Sequence, residues 1–337
     1  MSNINVTSTY NHLLDLIHPS PSRVLEIDIL PSALVTSIQY SAPDSALAIP
    51  QKVLIECFLY AREIFFTPSP HAQIYTYKGR EDGSGDEAEE GELEEEKLKA
   101  TSVLLLYDPN HQTAINWRKR YLLSHRSRQG HQRLVERELI WLESLLTSPL
   151  PKHTKSPTLW GHRLWLFRTI RSAEGPRGDV RENTGEEMQE LWKSELRIVM
   201  VAGEKHTSNY YGWNYARDVL SLFFARRGEE AVERDGEVAM ETAVLAQERL
   251  ETVQRWCYRH PKDCSGWAFL ECLCRRAAFK GAIWAGGQRL VEDLVIATRD
   301  WKESLAWKGF CVDEFLRRME PTNDNTNEMK TDTHVAE

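Results

Sequence analysis

The sequence predicts an all-α chain, a right-handed α-α superhelix (solenoid) of antiparallel helix hairpins. Three observations predict it. Apolar residues recur at helical spacing over most of the chain, as with Val53, Leu54, Cys57, Phe58, Ala61 and Phe65 in PQKVLIECFLYAREIFF. Turn and cap signals break the pattern at short intervals. A bulky residue also returns about four positions into a helix after four of the turns, at Ile115, Trp160, Trp213 and Trp267, with spacings of 45, 53 and 54. One amphipathic pair cannot hide its apolar face alone, so repeated pairs stack on one another.

The 337 residues suffice for one or two compact domains or an elongated array. The formal charge of −8 is unevenly spread: residues 81–96, EDGSGDEAEEGELEEE, carry ten acidic side chains and no basic one. The remainder is nearly neutral, which disfavours nucleic acid as a partner, since that needs a coherent basic surface. The chain lacks a basic N-terminal region followed by an apolar run, and no stretch approaches the ~18 apolar residues of a membrane span. A cytoplasmic location is therefore expected. Six cysteines are too few for a disulfide scaffold. Cys272 and Cys274 flank Leu273 on a helical run and point about 200° apart, a poor zinc geometry. Reduced, helix-packing cysteines are expected, and no metal.

In chain order, residues 5–18 read as a short helix, 19–46 as irregular connection and 50–66 as a helix stopped by Thr67 to Pro70. The run Ile27 to Val35 does not alternate well, so almost no strand is expected. Residues 71–96 are read as an acidic disordered insertion, because a like-charge block repels itself. Helical pattern resumes near Glu95 and runs to Tyr107. Further helices are expected after Asp108-Pro109-Asn110, over 131–147, 158–170, 188–201, 209–224, 240–258 and 264–280, and one or two over 288–318. The domains so drawn are a helical lead-in over 1–70, the insertion, helical repeats over 97–320 and a polar disordered tail over 321–337.

The best-formed repeat is KSPTLWGHRLWLFR, residues 155–168. Ser156 suits a cap and Pro157 a first helical position, where a missing N–H costs nothing. Trp160 and Arg163 then share a face, with Trp165 beside them. The same arrangement is looser in DPNHQTAINWRKR, SNYYGWNYAR and PKDCSGWAFL, and the preceding helix recurs as RELIWLESLL and KSELRIVMV. Periodic tryptophans are core first: burying one supplies roughly 2–3 kcal/mol by area. Arg118, Arg163 and Arg217, three or four positions after their anchors, either snorkel to water or tie repeats or a partner together. His162 reads as a structural hydrogen-bonding residue before an acid or base.

These residues resemble the protein prenyltransferase alpha-subunit repeat, with its Asn-Tyr-x-x-Trp-x-x-Arg core. Asn209-Tyr210-Tyr211-Gly212-Trp213 matches the first half, with Arg217 one position late, and Trp160-Gly161-His162-Arg163-Leu164-Trp165 matches the second. Ser265-Gly266-Trp267-Ala268-Phe269-Leu270 resembles a late variant with Leu in place of Arg, and Ile115 stands where Trp is usual. The loose copies and long insertions look more like the divergent repeat-containing branch than like the farnesyltransferase alpha subunit.

The resemblance implies the alpha-like subunit of a heterodimer, inactive alone and wrapped around a beta-type subunit. That beta subunit would hold the catalytic zinc, with isoprenoid diphosphate as co-substrate and a substrate protein's cysteine as acceptor. It places Lys155 beside the diphosphate as a candidate catalytic residue, and Tyr210 and Tyr211 either near the same group or packed between repeats. No cofactor is implied for this chain alone. Two other readings fit a helical-repeat chain. One is a non-catalytic adaptor binding a protein partner. The other is a tetratricopeptide-like peptide binder, disfavoured because that repeat runs at about 34 residues.

Overall fold

The computed structural model describes residues 5–18, 23–68, 86–126, 130–171, 185–230, 236–278 and 287–320. The chain divides into two compact units, Met1–Val219 and Leu220–Glu337. It is mostly helical, as the periodicity predicts.

The first unit begins with α1, Val6–Ile17, capped by the Asn5 side chain, which accepts from Ser8 N at 3.2 Å. α1 buries Tyr10, Leu13, Leu14 and Ile17. Three short strands follow: β1 (Glu26–Leu30), β2 (Gln39–Ser41) and β3 (Ala46–Pro50). They form a sheet of order β1-β3-β2, with β1 parallel and β2 antiparallel to β3. Its apolar side is Ile27, Leu47 and Ile49, each 1% exposed or less. The sheet corrects the expectation of irregular connection over 19–46. Leu25-Glu26-Ile27-Asp28-Ile29 does alternate, but a window set at Ile27 to Val35 runs through Pro31 and loses the period. Leu25 N donates to Ser144 Oγ at 2.9 Å, which ties β1 to a later helix.

α2 (Gln51–Phe66) continues directly from β3. α3 spans Asp86–Tyr107. The acidic stretch is thus helical from Asp86, not wholly disordered. Carboxylates in the first turns of a helix face its positive end and are favoured there. Residues 71–85 and 321–337 lie outside the described residues. α4 (Gln112–Ser124), α5 (His131–Leu146), α7 (Pro157–Arg171), α8 (Gly185–Lys205) and α9 (Tyr210–Glu230) agree with the sequence reading to within a few residues, except for later ends at α8 and α9. α6, Pro151–Thr154, is a single turn inside the expected loop. α9 crosses the boundary between the units.

The second unit contains α10 (Gly236–Arg259), α11 (Cys264–Ala278), α12 (Gly287–Ser304) and α13 (Phe310–Met319). Trp256, Trp267 and Phe269 are the largest fully buried side chains among its described residues. Gln254 on α10 reaches α12 through Leu294 O and Thr298 Oγ1, both at 3.1 Å. One cysteine expectation is corrected. Cys264 and Cys311 are joined in a disulfide, while Cys57, Cys257 and Cys274 are buried and free. The pair is 47 residues apart, so sequence proximity gave no hint of it.

Two histidines of the first unit, half-buried His18 and buried His153, make its stability depend on pH. His18 packs against Trp141 with ring centroids 5.6 Å apart, and its Nε2 lies 2.9 Å from Ser102 Oγ. Burial, then the charges of Arg118 and Arg137, push its pKa down to about 3. Burial pushes His153 down to about 4, although its Nε2 meets Leu106 O at 2.9 Å. Both are neutral when folded at neutral pH. The unfolded chain takes up protons below about pH 6.5, so acid favours unfolding. Each is expected to remove up to about 1.4 kcal/mol of stability per pH unit between pH 6 and its folded value. Thermal unfolding followed from pH 7 to 5 checks this. His153→Gln should flatten the slope, and an unchanged slope would refute the assignment.

Candidate functional site: a repeated capped turn and its buried ion relay

The four predicted anchors share one local geometry. A capping side chain stands four residues before each, at His111, Ser156, Asn209 and Asp263. Each accepts from the backbone N–H three residues on: His111 Nδ1 from Ala114, Ser156 Oγ from Leu159 and Asn209 Oδ1 from Gly212, all at 3.1 Å. Asp263 Oδ1 accepts from Gly266 at 3.1 Å and from Ser265 at 3.0 Å. These bonds satisfy donors that a helix start would otherwise leave bare. The anchor's own N–H then closes onto the cap carbonyl at 3.2 Å in every copy, for Ile115, Trp160, Trp213 and Trp267 alike. All four anchors are 2% exposed or less.

Within the first unit the turns lock to one another. Ser156 Oγ reaches back to Pro109 O at 2.9 Å and to Asn110 Oδ1 at 2.8 Å. Thr154 O accepts from the Trp160 indole at 2.8 Å and from Asn209 Nδ2 at 2.9 Å. Gly212 lies so close to the Trp160 ring that a Cβ there would sit 3.1 Å from Cζ2. Trp160 also packs on Tyr215, centroids 5.1 Å apart. In the second unit Trp267 packs against Phe315 at 5.2 Å.

The arginines at the third position after an anchor are buried. Arg118 Nε donates to Glu138 Oε1 at 2.8 Å, and its Nη2 reaches Glu138 Oε2. Its Nη1 donates to Thr101 Oγ1 at 2.7 Å and to Leu98 O at 3.0 Å. One repeat later Arg163 holds Glu195 through Nε at 2.7 Å and Nη2 at 2.8 Å, with Nη1 on Leu139 O at 2.9 Å. Both guanidinium groups are 2% exposed, which removes them from any surface a partner could touch.

Each carboxylate also binds the residue two places after the next anchor. Glu138 Oε1 accepts from His162 Nε2 at 2.8 Å, and Glu195 Oε2 from the Tyr215 hydroxyl at 2.6 Å. Arg–Glu–His and Arg–Glu–Tyr are therefore the same relay in successive repeats. Burial alone would raise the Glu138 carboxyl, but Arg118, with the His162 hydrogen bond, holds it well below the usual carboxylate range. Burial works against the Arg163 charge, and Glu195 more than restores it. Burial, then the Glu195 charge, raises the Tyr215 phenol. Burial lowers the His162 imidazole despite Glu138. A carboxylate only accepts, so His162 carries its proton on Nε2.

The other predicted residues fall as follows. Trp165 is half-buried, stacks on His162 at 5.7 Å and lies under Lys119 Nζ, 5.6 Å from the ring centroid. Arg217, one position late, donates to Asn214 Oδ1 at 2.6 Å. Lys155 is half-buried, and its Nζ donates to Thr207 O at 2.8 Å, beside the start of α9. Tyr210 and Tyr211 occupy the first turn of α9, 59% and 42% exposed, with ring centroids 5.6 Å apart. They are not packed between repeats.

Sequence reasoning missed Glu138, Glu195 and Tyr215. A signal was present: the two recurring pre-anchor helices, RELIWLESLL and KSELRIVMV, each carry a Glu-Leu step near the start of the quoted run. Among the described residues no group of three or more His, Cys, Asp or Glu could hold a metal ion. Among the same residues no helix is long and apolar enough to cross a membrane.

Capped turns recurring on successive helices define an α-helical repeat protein. Comparison with known proteins gives the kind. The family model for the ECM9 middle domain matches residues 180–283, under a third of the chain. Protein prenyltransferase alpha subunit repeat-containing protein 1 of Danio rerio is 26% identical over 220 residues, 64% of this chain and 44% of that protein. The Homo sapiens protein of the same name is 24% identical over 216 residues, 63% of this chain and 46% of its own length. The geranylgeranyl transferase type-2 subunit alpha of Saccharomyces cerevisiae is 26% identical over 148 residues, 44% of this chain and 39% of its own. The chain is a relative of the protein prenyltransferase alpha-subunit repeat family. It spans less than half the length of these curated relatives.

Proposed function

We propose that this chain is the alpha-like subunit of a heterodimeric protein prenyltransferase, inactive alone. Paired with a beta-type subunit, it supports transfer of farnesyl or geranylgeranyl from its diphosphate to a cysteine of a substrate protein, in the cytoplasm. The right-handed superhelix expected from the repeat is part of this reading. The observation that carries it is the capped turn with its buried anchor, kept in four copies in a relative of geranylgeranyl transferase alpha subunits. In this reading the catalytic zinc sits in the beta-type subunit, not in this chain.

Lys155, Tyr210 and Tyr211 supply the chemistry on this side. Lys155 Nζ spends one hydrogen bond on Thr207 O. An ammonium has two more donors for an anionic oxygen. Negative charge grows on the diphosphate as the carbon–oxygen bond breaks, and a fixed cation there lowers the barrier. The exposed Tyr210 and Tyr211 hydroxyls and rings stand at the positive end of α9.

Co-expression with a beta-type subunit should yield a stable pair that transfers a prenyl group, and the chain alone should not. Lys155→Ala should cut the transfer rate of the pair 10-fold or more, the loss of about 1.4 kcal/mol of transition-state stabilisation. Failure to bind any beta-type subunit would refute the proposal. The second reading, a non-catalytic adaptor, is favoured by the same Lys155–Thr207 bond, which also serves as a tie between hairpins. Under it, Lys155→Ala leaves the transfer rate of a bound enzyme unchanged.

A further inference from the structure

We propose that the Cys264–Cys311 disulfide is a thiol-sensitive latch that holds α13 over Trp267, and that a dithiol reductant opens it. The two cysteines join the first turns of α11 and α13, with Cα atoms 5.0 Å apart. Cys264 is exposed and Cys311 half-buried, so the bond is open to an attacking thiolate. Each sulfur leaves from a helix N-terminus, where the partial positive charge favours thiolate and so makes a good leaving group. The buried cysteines Cys57, Cys257 and Cys274 are the opposite kind: burial raises all three thiols, Cys57 to about 11 and Cys274 to about 12.

What the latch holds is weakly held otherwise. α13 has ten residues, too few to stand as a helix by themselves. It buries Val312, Phe315 and Leu316, and Phe315 is the ring that covers Trp267. Its other ties include a hydrogen bond from Arg275 Nη2 to Arg318 O at 3.0 Å and two charge pairs, Arg318 with Glu271 and Lys302 with Asp313 at 2.5 Å. Such pairs on open surface contribute little. The approach to α13 carries Leu305 at 59% exposure and Ala306 with φ of 48°, and the first residue of α13, Phe310, is 75% exposed.

Opening is an exchange. A dithiol thiolate attacks one sulfur, the Sγ–Sγ bond breaks, and a mixed disulfide forms. The reductant's second thiol resolves it into a cyclic disulfide. Cys264 and Cys311 together gain two electrons and two protons, and the dithiol loses the same. Glutathione disulfide reverses the step.

The test uses the full chain. After oxidation with glutathione disulfide, non-reducing peptide mapping should recover a peptide joining Cys264 to Cys311. Hydrogen exchange over 310–319 should speed up at least 10-fold with dithiothreitol and return on reoxidation. Cys311→Ser should show the fast rate in both conditions, and Cys264→Ser provides the same reading should that variant fold poorly. Absence of the joined peptide, or equal exchange rates in the oxidised and reduced chain, would overturn the proposal. Neither readout depends on a partner subunit or on prenyl transfer.

Discussion

Replacing Glu195 with alanine is expected to destabilise the first unit by about 3–5 kcal/mol, the cost of leaving a buried charge without its partner. Arg163 would keep Leu139 O but lose both bonds to carboxylate, at 2% exposure with no route to water. Tyr215 would lose the acceptor for its hydroxyl at the same time. Two buried groups on two helices are thus orphaned by one change. Urea or thermal unfolding measures the loss. The decisive comparison is the double variant. Arg163→Met in the Glu195→Ala background should recover part of the deficit, because it removes the unpaired buried charge while keeping most of the arginine's volume. If Glu195→Ala costs less than 1 kcal/mol, the relay is not a buried ion pair in solution.

Trp213→Ala is expected to cost about 3–5 kcal/mol, combining lost transfer energy with an unfilled cavity. The residue is fully buried, at 0% exposure, and its backbone is fixed by the Asn209 cap. The surroundings cannot easily close over the space, since Gly212 already lies against the Trp160 ring. Trp165→Ala is the control. That indole is half-buried and held by His162 and Lys119, so its loss should cost about 1 kcal/mol. Comparable losses for the two variants would refute the role of the wedge. Against a typical domain stability of about 5–15 kcal/mol, either the Glu195 or the Trp213 change alone could leave the protein partly unfolded.

The anchors were legible because their signal is local. A polar cap, three residues and a bulky apolar side chain sit within one helical turn of each other, and the chain writes this down four times. Helix boundaries such as Gln51–Phe66 and His131–Leu146 were legible for the same reason, from apolar period and turn residues. What pairs across long distances was not. Glu195 and Arg163 are 32 residues apart, and Cys264 and Cys311 are 47 apart. A single sequence carries no sign of which distant groups meet. The sheet was lost differently. Its strands are three to five residues long, with Pro31 just after β1, and so short a period is easily misframed. Lys155 shows a further limit. Its residue type fits the chemistry of the resemblance, while the bond to Thr207 O is visible only in space.

The carbonyl oxygen of Thr154 serves two donors, the indole of its own repeat and the amide of the next. A peptide oxygen is present whatever side chain occupies the position. The stretch from one wedge to the next can therefore lengthen from 45 to 53 positions without moving the mark by which neighbours find their register. Tolerance is uneven, however. The six-residue step from 154 to 160 is a ruler of fixed length, and an insertion there would shift two hairpins at once.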